Sequence, residues 1–96
     1  MNIGYYSGIP KGFDSGPYFR GLAGNLCQSP HWGYVIRGRL LVRYPDREET
    51  IEAGEVFYSP AGHSVLHLEE TEMIEISPER ELESVMQVWR SNAKSR

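Results

Sequence analysis

The stretch from Gly54 to His67, GEVFYSPAGHSVLH, leaves this chain few ways to fold. Val56, Phe57 and Tyr58 are β-branched or aromatic, and Pro60, Ala61 and Gly62 form a corner that neither a helix nor a central strand tolerates. The pattern predicts a buried strand, a sharp turn and a second strand, with His63 delivered just past the corner. A side chain held there suits a site that must keep its geometry. Histidine is both the commonest metal ligand and the usual acid or base near neutral pH.

A second strand pair precedes this one. His31 to Tyr44, HWGYVIRGRLLVRY, divides into two β-rich runs hinged at Gly38. Alternation places His31, Gly33, Val35 and Arg37 on one face and Trp32, Tyr34 and Ile36 on the other. Pro45 and Asp46 suit a β-turn, after which Glu49 to Glu52 returns as a short edge strand whose charges discourage further pairing. Met73 to Ser77 reads as the last strand, with Met73, Glu75 and Ser77 sharing a face. Ser77-Pro78-Glu79 then has the chemistry of a helix start, with serine as cap. Leu82, Val85, Met86 and Trp89 follow at helical spacing, a stripe that packs on the barrel or on a second subunit. Residues 1–30 are rich in Gly, Ser and Pro and show no sustained period, yet Ile3, Tyr5, Phe13, Tyr18, Phe19 and Leu22 are too apolar for a disordered tail. We therefore expect an irregular arm over 1–22 lying on the barrel or a partner, a barrel over 23–78, and a short helix with a tail over 79–96.

Ninety-six residues support one domain and one modest core. Ten glycines and six prolines fit many turns between short strands, so the fold class is all-β with a short C-terminal helix. The net charge of −3 is unevenly placed, with twelve of the thirteen acids after residue 45. No basic cluster is dense enough to track phosphates, which sets nucleic acid aside as a partner. A single cysteine, Cys27, excludes an intramolecular disulfide. With no signal-peptide pattern and no apolar run of membrane-spanning length, the expectation is a soluble cytoplasmic protein.

These residues resemble the cupin superfamily over roughly residues 23–78. Gly54, Pro60 and Gly62 match the spacing of the second cupin motif, and Gly38 matches the glycine that closes the first. His31 stands where the first motif has its ligand carboxylate, and Cys27 stands where it has the second histidine of a His-x-His pair. Asn25 occupies the position of the first histidine of that pair. Val65 stands where the second motif usually has its histidine, which here is displaced to His63. The combination of CQSPHWGY with PAGH is similar to a group of small bacterial single-domain cupins.

The resemblance implies a double-stranded β-helix, or jelly-roll barrel, whose cavity holds a divalent metal. His63, His31 and Cys27 are then the metal candidates. A set of this kind favours Zn²⁺ with an open fourth position. If Glu75 replaced Cys27, two histidines and one carboxylate would suit Fe²⁺. Four residues of strand separate His67 from His63 by about 13 Å, which assigns His67 to the pocket or its rim rather than to the same ion. Arg37, if inward, would fix an anion, and Tyr34 and Tyr58 are further pocket candidates. The function expected is a small cupin-domain protein, a homodimer, that binds or transforms a small molecule at a metal. The alternative is a metal-free ligand-binding, regulatory or structural barrel acting as a dimer. The sequence assigns no reaction and no substrate.

Overall fold

The structure, a computed structural model, describes residues 1–94. Seven strands precede one helix: β1 (Asn2–Ile9), β2 (His31–Arg37), β3 (Arg39–Arg43), β4 (Glu48–Glu52), β5 (Val56–Ser59), β6 (Ser64–His67), β7 (Thr71–Ser77) and α1 (Glu79–Lys94). They form two antiparallel sheets, one in the order β1-β7-β2-β5 and the other β4-β3-β6. The core lies between them. Val35 and Met73 from the larger sheet meet Leu40, Val42 and Ile51 from the smaller, with Phe57 and Val65 packed against this cluster.

The hinge between β2 and β3 depends on glycine for two reasons. Gly38 has φ of 97°, and a Cβ at this position would lie 2.3 Å from the carbonyl oxygen of Glu70. The β3–β4 turn closes through Tyr44 N–H donating to the Arg47 carbonyl at 2.8 Å. As its charges suggest, β4 is a sheet edge. The opposite edge, β6, is covered by residues 12–15. Ser15 N–H donates to the Val65 carbonyl (2.9 Å), the Ser15 hydroxyl accepts from Val65 N–H (2.8 Å), and His67 N–H donates to the Phe13 carbonyl (2.9 Å).

The N-terminus departs from the irregular arm expected over 1–22. Residues 2–9 form an edge strand on β7, running from Asn2 opposite Ser77 to Ile9 opposite Thr71, with a register shift between Tyr6 and Ile9. Gly4, Gly8 and the shift interrupt the period of two that would have announced it. From Pro10 to Pro30 the chain is irregular apart from short 3₁₀ turns at Gly16–Phe19 and Ala23–Asn25.

The helix also begins differently from expectation. Pro78 supplies the carbonyl for the first helical bond, to Leu82 N–H at 3.0 Å, while Ser77 belongs to β7 and its hydroxyl is engaged inside the barrel. Glu79 and Glu81 lie in the first turn, where the helix dipole favours them. The apolar stripe of α1 folds back on the same chain. Trp89 stacks on Tyr18 with ring centroids 4.4 Å apart and meets Phe19 edge-on at 5.5 Å. The Asn92 amide donates to the carbonyls of Tyr18 (2.8 Å) and Arg20 (2.9 Å). Among the described residues, no helix is long and apolar enough to cross a membrane.

Candidate metal centre and cavity

Backbone pairing brings the site together. Cys27 N–H donates to the His63 carbonyl (2.7 Å) and the Cys27 carbonyl accepts from Gly62 N–H (2.7 Å), which fixes the loop before β2 against the Pro60–Gly62 corner. His31 opens β2 opposite Ser59, the last residue of β5, so it stands beside the same corner. The result is a buried trio. Cys27 Sγ lies 3.4 Å from His31 Nε2, and the two imidazoles meet edge-on with centroids 5.0 Å apart. One donor atom from each of Cys27, His31 and His63 falls within 4.8 Å of the others.

The neighbours of each ring decide which nitrogen is free. His63 Nδ1–H donates to the Pro60 carbonyl at 2.7 Å, leaving the lone pair on Nε2. His31 Nδ1 is 2.7 Å from the Ser77 hydroxyl, so when the ring donates there, its Nε2 is an acceptor pointed at Cys27. Burial, reinforced by the neighbouring His63, lowers the His31 pKa to about 3, and burial lowers that of His63 as well. Both rings are therefore neutral at ordinary pH, the form that ligates metals. Burial pushes the Cys27 thiol up to about 12. A cation at the trio would oppose that shift and draw off the proton.

Glu75 approaches the back of His31, with Oε1 3.6 Å from Nδ1. Because His31 is neutral, this is not an ion pair, and Glu75 is not among the three groups that converge. Burial raises its carboxyl to about 7. The trio and Glu75 line a cavity of about 410 Å³ whose walls are mostly apolar, including Leu40, Val42 and Phe57. This volume falls within the range of small-molecule sites. Phe13, Met86 and Trp89 also border it, so the arm and α1 contribute to its wall.

His67 lines the same cavity but stands apart from the trio. The Thr71 hydroxyl donates to the Glu69 carbonyl (2.9 Å) and is thereby left to accept from His67 Nδ1–H, also at 2.9 Å. His67 Nε2 consequently keeps its lone pair, and burial lowers the ring's pKa so that it stays neutral. The cavity thus has a second acceptor besides the trio.

Three other candidates do not reach the cavity. A register shift between Val35 and Arg37 breaks the alternation of β2, so Arg37 points outward and pairs with Glu72 at 3.1 Å. Tyr34 and Tyr58 lie on the outer face of the larger sheet, since their inward neighbours in the pleat are Gly33 and Phe57. Sequence reasoning missed Thr71 and Ser77 as the hydroxyls that orient His67 and His31. The position of Ser77 on the Glu75 face of its strand was the available signal.

No protein-family model matches the chain, and no curated protein matches it. Solved structures do. A cupin 2 conserved barrel domain protein from Salinispora arenicola aligns at 19% identity over 82% of this chain and 65% of its own, with a TM-score of 0.54. A protein of unknown function from Rhizobium leguminosarum aligns at 23% identity over 78% and 66%, with a TM-score of 0.51. The EutQ protein of Clostridium difficile aligns at 20% identity over 54% of this chain and 43% of its own, with a TM-score of 0.47. The chain spans between under half and about two thirds of these proteins, and the first two likenesses establish a shared fold.

Proposed function

Starting from a small cupin-type barrel, we propose that this chain holds one divalent metal ion with Cys27, His31 and His63 and presents it to a small, largely apolar molecule in the barrel cavity. The observation that carries this reading is the convergence of one thiol and two neutral imidazoles, within 4.8 Å of one another, on the cavity wall. The donor chemistry fits a metal: each imidazole has a neighbour for Nδ1 and keeps Nε2 for ligation, the arrangement that orients metal-bound histidines. One thiolate with two imidazoles favours Zn²⁺ over Fe²⁺, because the ferrous set of two histidines and a carboxylate would need Glu75 in place of Cys27. Bound there, such an ion supplies Lewis acidity and an open position for water or ligand.

The chain's own groups would do the rest. Glu75, titrating near neutrality, can accept or return a proton inside the cavity. His67 Nε2 offers an acceptor to a hydroxyl or amine on the bound molecule. The apolar walls take its body and limit water. Whether the molecule is transformed or only held depends on its chemistry.

A metal-free binding module is the second reading. It draws on the partners the Cys27 thiol already has, its single S–H donating either to His31 Nε2 at 3.4 Å or to the Ser29 carbonyl at 3.6 Å. Elemental analysis of untagged protein decides between the two. We expect about one zinc per chain, retained through dialysis and lost in His63→Ala and Cys27→Ser with the β-sheet spectrum intact. Wild type that stays metal-free after incubation with Zn²⁺, Fe²⁺, Mn²⁺ and Ni²⁺ would sink the metal assignment and leave the second reading.

A further inference from the structure

The larger sheet is covered on its inner face, yet its outer face is also apolar, which the solvated face of an antiparallel sheet is not. Its inner face carries the core. On its outer face the register sets two rows across four strands: Ile3, Ile76, Trp32 and Tyr58, then Tyr5, Ile74, Tyr34 and Val56. No charged side chain interrupts either row. Val56 is 79% exposed, Ile3 73%, Tyr5 60% and Tyr58 52%, with Trp32 and Tyr34 just above 40%.

We propose that this face is the contact surface for a second copy of the chain, the two larger sheets packing face to face about a two-fold axis. Three observations select that occupant. The first is area. With large apolar side chains offering about 150–250 Å² each, these exposures leave roughly 700 Å² on the face, close to the roughly 800 Å² per partner of a stable interface. The second is charge. The charges at the rim are already paired within the chain, Glu72 with Arg37 at 3.1 Å and the Met1 amino group with Glu79 at 2.9 Å, and the Tyr5 hydroxyl donates to Glu72. Nothing on the face is left to recognise a charged partner such as an acidic peptide or a phosphate. The third is shape. A shallow groove lies along the rows, bounded by Trp32, Tyr34, Val56, Tyr58, Ile74 and Ile76. A ridge-and-groove surface repeated by two-fold symmetry can interdigitate with itself, as paired sheets do. The apolar centre with a satisfied polar rim is the anatomy of a subunit interface. It is also distinct from Tyr18, Phe19 and the Trp89 helix, which are spent on each other inside one chain.

Sedimentation velocity over a dilution series tests this, with Tyr34→Lys at the centre of the rows and Val56→Lys on the edge strand. We expect wild type at twice the chain mass, and each lysine to weaken association by roughly 100-fold or more while the circular dichroism spectrum is unchanged. A second readout uses wild type alone, so that it survives any failure of the variants to fold: acrylamide quenching of tryptophan should rise on dilution as Trp32 is uncovered. Wild type that is monomeric throughout overturns the proposal, including the case in which a different protein covers the face. So does a dimer that both folded variants retain, or one whose dilution leaves tryptophan quenching unchanged.

Discussion

At the scale of single residues, two hydroxyls govern the buried imidazoles. Thr71 and Ser77 each meet an Nδ1 nitrogen and leave Nε2 for the cavity. Burial keeps all three histidines neutral, and this has a pH signature. The folded pKa of His67 is depressed, so unfolded protein takes up a proton that folded protein refuses. Its contribution to stability is complete above the unfolded value of about 6.5 and is lost as pH falls below it. We expect the melting temperature of metal-free protein to drop between neutral and mildly acidic pH, and to drop less steeply in His67→Gln. Equal slopes in a calorimetric pH series would remove His67 from that account. That Cys27, His31 and His63 come together was legible, because glycine and proline spacings located them. Arg37 was misread because strand alternation cannot anticipate a bulge, and Ser77 because a serine before Pro-Glu has two plausible uses and only tertiary contact selects between them.

At the scale of elements, turns were the most readable feature and the strand with little alternation the least. Gly38 illustrates the first. Its positive φ and the Glu70 carbonyl leave no room for a side chain, so Gly38→Ala should cost about 2 kcal/mol or more in urea denaturation. A loss within experimental error would show that the β2–β3 hinge adapts. The strand β1 illustrates the second: its glycines and register shift hide it in sequence, and only β7 beside it supplies the missing hydrogen bonds. The helix was legible from its stripe, but not what the stripe would cover. Trp89 is stacked on Tyr18 and Phe19 at the cavity border, and Trp89→Ala should destabilise the fold by about 3 kcal/mol. The same variant should loosen the arm, read as faster amide exchange over residues 16–22.

At the scale of the whole molecule, stability and occupancy of the site are linked. A metal that binds only the folded chain adds RT ln(1 + [L]/Kd), so zinc at about 100 times its dissociation constant should stabilise wild type by about 2.7 kcal/mol and leave Cys27→Ser unmoved. A thermal scan with and without chelator reads this directly. The fold class was accessible from sequence because two strand pairs and their glycine corners span most of the barrel. The depth of the cavity and the apolar outer face were not, since both arise from how seven short segments register against one another. Strand β7 shows how tightly that register is held. Thr71, which serves His67, and Glu75 and Ser77, which flank His31, all lie on this one strand, while Ile74 and Ile76 face the other way. A slip of one residue would reverse every one of these directions at once. Two interior N–H groups would be stranded at about 1–3 kcal/mol each, and the outer rows would be broken by a carboxylate. A mispaired chain is therefore penalised on both faces of the sheet for a single error in register.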